Sequence, residues 1–236
     1  MPPRRFVAFI VASAVFMTVL LLLDGDGFAR QALLGLATAL FLWLFVRESG
    51  VDAGQVLWAI GVATLGEIVL SLGWGLYSYR HALIPLYVPP GHGLFYALAA
   101  VSAQQAWFRD RAAGFIRATL IVGTVLAVLS LAFLQDTWGF LWWLGALALI
   151  ARSRNQLLLC TCFCYTIILE LVGTAIGNWQ WAAEVPLVGL HSANPPAGVG
   201  ILYILLDLIV VAITGYASRP LAEVSIRVDS GRESTS

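Results

Sequence analysis

Eight apolar stretches, each bounded by charged or turn residues, run through this chain at roughly 6–23, 31–46, 54–76, 91–107, 114–134, 139–151, 156–176 and 198–217. A helix needs about 20 apolar residues to cross the hydrocarbon core of a membrane. Most of these runs approach that length; the sixth is the shortest. Asp24-Gly-Asp-Gly, Arg47-Glu-Ser-Gly, Arg109-Asp-Arg, Gln135-Asp-Thr and Arg152-Ser-Arg separate them. Of 236 residues, 60% are hydrophobic and 11% charged, against about 25% charged in an average soluble domain. Too little polar surface remains to clothe a soluble globule. That excludes a soluble enzyme, a disordered chain and a nucleic-acid binder built on a basic face. The pattern predicts an all-α, polytopic membrane helix bundle of about eight transmembrane helices.

The basic residues set an orientation. All 13 are arginines. With the N-terminus in the cytoplasm, only Arg30 and Arg80 fall in outside loops. Cytoplasmic loops carry the excess of positive charge, so both termini are expected inside a cell membrane, such as a bacterial inner membrane. Arg4 and Arg5 precede the first run, which is too long for a signal peptide and lacks a good cleavage site, so an uncleaved anchor is expected. Residues 219–236 are polar and predict a disordered cytoplasmic tail.

The second half echoes the first. Glu67 is followed by Gly75-x-Tyr77-x-Tyr79, and Glu170 by Gly177-x-Trp179-x-Trp181. Pro85-Leu86 answers Pro186-Leu187, and Pro89-Pro90 answers Pro195-Pro196. Gly93-x-x-Tyr96 answers Gly200-x-x-Tyr203. Gly27-Phe28 and Gly139-Phe140 close corresponding loops. We expect two four-helix units, 1–110 and 111–218. Four helices return the chain to its starting side, so both units share one orientation and the axis relating them runs along the membrane normal.

Glu67 and Glu170 fall at equal depth inside the third and seventh spans. An intramembrane carboxylate is expensive to insert and is a functional candidate by default. Two carboxyls near the axis could act as general acid and base. The opposite possibility is structural: each Glu hydrogen-bonds a Trp, a Tyr or loop backbone. Tyr77, Tyr79, Trp179 and Trp181 lie at the membrane boundary, where aromatic belts are common. Their rings could also wall a slot for an unsaturated substrate or face a carbocation. His92, beside Pro90 and Gly91, is a candidate proton shuttle. Tyr96, Tyr203, Asn194 and Asp207 complete the expected substrate-binding set. Asp207 has no acidic counterpart in the first unit; Gln104, Gln105 or a hydroxyl on a neighbouring helix are candidate partners for it. No tight metal spacing occurs, so no metal is expected, and no nucleotide loop or dinucleotide fingerprint names a cofactor. Cys160, Cys162 and Cys164 are expected to be reduced, buried side chains.

Glu, then Gly-x-Tyr-x-Tyr, then a proline-rich loop resembles the membrane carotenoid hydratases of the bisanhydrobacterioruberin hydratase type. The resemblance covers residues 67–90 and 170–196. It implies addition of water to a polyene end group through protonation and capture of a cation. The positions it implies are Glu67 with Tyr77 and Tyr79, or Glu170 with Trp179 and Trp181, where tryptophans depart from the tyrosine pattern. Three function classes stay open. The first is an enzyme acting on an isoprenoid, carotenoid or other lipid. The second is a small proton-coupled transporter. The third is a non-catalytic assembly or lipid-binding subunit. The expected partners are a membrane lipid or apolar small molecule, with a second copy or another membrane protein as a further option.

Overall fold

The computed structural model describes residues 1–215; the tail expected at 219–236 lies outside them. The order is α1 (Pro3–Leu23), α2 (Phe28–Ser49), α3 (Ala53–Glu67), a π-helical turn (Ile68–Gly73), β1 (Tyr77–Tyr79), α4 (Val88–Gln104), α5 (Ala106–Asp110), α6 (Ala112–Leu134), α7 (Thr137–Arg152), α8 (Gln156–Ile176), β2 (Trp179–Trp181) and α9 (Ile201–Thr214). Five helical segments are long and apolar enough to cross a membrane: α1, α2, α3 with its π turn, α6 and α8. The apolar helices α7 and α9 are shorter.

Local chemistry sets the ends. Asp52 and Asp136 cap α3 and α7, accepting from the backbone N–H groups of Gln55 and Gly139. Gly50 and Gly177 end α2 and α8 in the left-handed conformation. Prolines open α1 and α4 where no backbone donor is needed.

The outward surface is apolar. Val7, Val11 and Val15 on α1, Leu36 and Leu40 on α2, and Ile121 and Val125 on α6 are all exposed. Water would penalise such a continuous patch, whereas lipid is its natural solvent. The interior centres on α4, which is buried along most of its length and packs against α2, α3 and α8. Small residues permit this approach: a Cβ at Gly93 would stand 2.8 Å from Ile60. Helix α3 packs on both α4 and α9, and α8 packs on the same two helices.

The expectation of an all-helical chain needs one addition. Strands β1 and β2 form an antiparallel ribbon, pairing Tyr77 with Trp181, Ser78 with Gln180 and Tyr79 with Trp179. The register is symmetric about the Ser78–Gln180 pair. Tyr-Ser-Tyr and Trp-Gln-Trp have the alternation of a strand with one buried face. The aromatics are buried and the two middle residues exposed. Gly75 and Gly177, with φ of 76° and 80°, turn the chain from helix into ribbon.

The two approaches differ by one residue. Gly75 follows Glu67 by eight positions, and Gly177 follows Glu170 by seven. A π-helix holds more residues per turn than an α-helix, and the extra residue is taken up by the π turn Ile68–Gly73. Helix α8 stays α-helical to Ile176.

Candidate functional site

Glu67 ends α3 and turns inward, 6% exposed. Its Oε2 accepts from the hydroxyls of Tyr77 and Tyr79, both at 2.8 Å. Its Oε1 lies 2.9 Å from Nε2 of His92 on α4. Nδ1 of His92 is 2.6 Å from the hydroxyl of Tyr203 on α9. Four elements thus converge on one hydrogen-bonded file. Burial, with the neighbouring Glu67 carboxylate, pushes the Tyr77 and Tyr79 phenols well above their usual range. They remain protonated donors.

Glu170 repeats the arrangement with a different chemistry. Its Oε2 accepts from the indole N–H groups of Trp179 and Trp181, at 2.8 and 2.9 Å. An indole nitrogen only donates. No protein donor reaches Oε1 of Glu170 among the described residues. Gly173 leaves room for the Trp179 ring, which occupies the space a Cβ there would need. Overfilling a tight core costs about 1–3 kcal/mol. Gly173→Ala is therefore expected to lower the melting temperature by several degrees, and unchanged melting would contradict this packing.

Both carboxylates line one cavity of about 310 Å³ between α1, α3, α4, α8 and α9. Met17, Leu21, Val62, Phe95, Leu169 and Leu206 supply much of its apolar wall. Polar groups are few: the glutamates, His92, Thr166, and the tyrosines and tryptophans around them. The volume lies at the lower end of small-molecule pockets. It suits an end group better than a whole long-chain lipid. No known protein family, curated protein or solved structure matches this chain. The site's chemistry therefore rests on its geometry alone.

Of the residues expected from sequence, Glu67, Glu170, His92, Tyr77, Tyr79, Trp179, Trp181 and Tyr203 meet at this cavity. Tyr96, Asn194 and Asp207 do not line it. Tyr96 is buried one turn beyond His92 on α4. Asn194 has a supporting place, its Oδ1 accepting from the backbone N–H of Trp181 at 3.0 Å. Asp207, 5% exposed, lies one turn beyond Tyr203. Neither expected glutamine serves it: Gln105 donates instead to the carbonyl of Val101. Cys160, Cys162 and Cys164 are free thiols on α8, the first two buried. Among the described residues, no group of three or more His, Cys, Asp or Glu side chains is arranged to hold a metal.

Sequence reasoning passed over two buried aspartates at the same end of the bundle as the ribbon. Asp136 accepts from Ser130 Oγ and from the backbone N–H groups of Gly139, Ala193 and Ala197. Asp24 accepts from the side-chain amides of Gln31 and Asn178. A signal for both existed: the spacing from Asp24 to Asp136 equals that from Gly27 to Gly139.

Proposed function

We propose that this chain is an integral membrane enzyme that performs acid/base chemistry on the apolar end group of an isoprenoid, carotenoid or similar lipid. The observation that carries the reading is the pair of carboxylates facing one apolar cavity, each clamped by two aromatic donors of a shared ribbon. Glu170 is the proton donor, because it lines the cavity and its Oε1 has no hydrogen-bond partner among the described residues. The proton passes from that oxygen to a carbon of a substrate double bond, leaving a carbocation on the neighbouring carbon. Tyr and Trp ring faces favour such a cation. Two exits are possible. In hydration, a water oxygen bonds to the cation and the released proton goes to Glu67 or His92. In cyclisation, a second double bond of the substrate bonds to the cationic carbon and closes a ring. The positive charge moves to that double bond's other carbon, and an adjacent C–H there loses its proton to the same base as a new double bond forms. The Glu67–His92–Tyr203 file supplies the base and spreads its charge.

We further read the two halves as duplicated four-helix units, about 1–110 and 111–218, related by an axis through the Ser78–Gln180 pair. The symmetric ribbon register and the matched packing of α3 and α8, each against both α4 and α9, support this. The ribbon end then faces outward and both termini lie in the cytoplasm, as the arginine distribution favours.

The test is mass spectrometry of lipid extracts from cells lacking the gene, complemented with wild type or Glu67→Gln. A precursor should accumulate in the deletion strain, disappear with wild type and persist with the variant. An unchanged lipid and pigment profile in the deletion strain would overturn the reading. Asp207 favours a second one, proton-coupled transport, because it is a buried carboxylate with no hydrogen-bond partner among the described residues. In that case proton-driven uptake into liposomes should be lost in Asp207→Asn. Equal flux in variant and wild type would rule out Asp207 as its carrier.

A further inference from the structure

Around Asp24, beside the cavity, several buried polar atoms lack a protein partner. Asp24 follows α1 and is buried. Asn178, fully buried between α8 and β2, donates through Nδ2 to Asp24 Oδ2 at 3.0 Å and to the Leu21 carbonyl at 2.9 Å. Its Oδ1 has no partner. The Tyr87 hydroxyl faces both Asp24 and Asn178 without a well-formed hydrogen bond to either. Tyr87 is 2% exposed. The third such atom is Nε2 of His81, 3.8 Å from Asp24 Oδ2 and too far for a hydrogen bond. The other ring nitrogen of His81 is held by Asp26. Three buried polar atoms, one acceptor, one hydroxyl and one imidazole nitrogen, thus ring a single carboxylate.

Leaving a buried polar atom unmet costs about 1–3 kcal/mol, and such atoms are uncommon in native folds. A water molecule resolves the set, because it needs two to four polar partners and both gives and accepts. Asp136 supplies an internal contrast. At the corresponding loop after α6 its carboxylate is closed by one hydroxyl and three backbone donors. The Asp24 site is the open version of that loop.

Position gives the site a role. Tyr87 and Leu21 also line the cavity, so one phenol separates the polar ring from the apolar chamber. We propose that Asp24, Asn178, Tyr87 and His81 hold water at the edge of the cavity and pass it inward past Tyr87. The water site stands on its own geometry; its use as co-substrate rests on the enzymatic reading above. With that reading, it supplies the oxygen for hydration and favours hydration over cyclisation.

Met17 is a built-in reporter. It lines the cavity one turn before Leu21 on α1, while Met1 begins the chain. The full-length protein in nanodiscs would be mixed rapidly into H₂¹⁸O under argon and exposed to a millisecond X-ray pulse. Peptide mass spectrometry would then read ¹⁸O addition. The expected result is label on Tyr87 and Met17 in wild type. In Tyr87→Phe, Met17 label should fall about threefold or more while Met1 is unchanged. Tyr87→Phe removes only a hydroxyl that makes no well-formed hydrogen bond, so the fold should survive. Asp24→Asn is the second variant and should lower Met17 label in the same way.

Absence of label on Met17 and Tyr87 in wild type would overturn the proposal. So would Met17 label that neither variant changes. Label that depends on sodium or potassium, compared with choline, would assign the site to a cation and overturn it as well. A labelled cavity in a protein whose deletion leaves cell lipids unchanged would sink the enzymatic reading alone. A dry cavity in a protein that does convert lipid would sink the water site alone.

Discussion

With Glu170 as the proposed proton donor, Glu170→Gln is expected to reduce turnover of the proposed lipid substrate by a factor of about 10²–10⁴, the usual contribution of a positioned general acid. The substitution keeps the shape of the side chain, and its carbonyl oxygen can still accept from Trp179 and Trp181. What it removes, on the proposed mechanism, is the transferable proton on Oε1. Folding should therefore persist while precursor accumulates in lipid extracts of complemented cells. Glu67→Gln acts differently. It alters a group whose two oxygens are already engaged by Tyr77, Tyr79 and His92. It is expected to cost both activity and some stability, because an amide nitrogen facing a phenol or imidazole disturbs the file. If Glu170→Gln supports wild-type product levels, Glu170 is a structural clamp and its role as proton donor fails.

Asp136→Ala should give the largest loss of stability of any single change considered. It strands three backbone N–H groups and the Ser130 hydroxyl at a position with 0% exposure. Each buried donor left unmet costs about 1–3 kcal/mol, so the total should exceed about 3 kcal/mol. The damage should reach the site through a traceable route. Asp136 holds the backbone of Ala193 and Ala197, Asn194 between them holds the N–H of Trp181, and Trp181 holds Glu170. Asp136→Asn keeps one carboxyl-like oxygen and should fall between wild type and alanine. A thiol-reactive dye can follow the melting, because Cys160 and Cys162 are free and buried until the bundle opens. Equal melting of wild type and Asp136→Ala would show that other contacts hold this loop.

Residues legible from sequence were those marked by an environment-independent cost. A carboxylate inside an apolar run is expensive wherever it ends up, so Glu67 and Glu170 stand out before any fold is known. The paired Gly-x-aromatic-x-aromatic segments likewise pointed to the same end of the chain's two halves. Their alternation is also a strand signature, and the ribbon follows from it once the two segments are known to be neighbours. Asp24, Asn178 and Asp136 were harder to see, because a polar residue in a loop between helices is ordinary. Only burial makes them costly, and burial depends on what packs over the loop. Asn194 and Asp207 show the converse. Their residue types suited a binding site, but one supports the ribbon and the other lies beyond the cavity wall.

By itself the sequence determined that the chain is helical, carries segments apolar enough for a membrane, and places two acids at matching points of two echoing halves. Hydrophobic length and charge spacing suffice for that, since they act along the chain. Tertiary structure alone decided that the two acids share one cavity, that one is fully engaged and the other open, and that a ring of unmet polar atoms sits beside them. Those facts depend on contacts between residues about a hundred positions apart, such as Tyr77 with Trp181 and His92 with Tyr203. Which side chains meet across such distances is set by helix packing, and no local pattern encodes it.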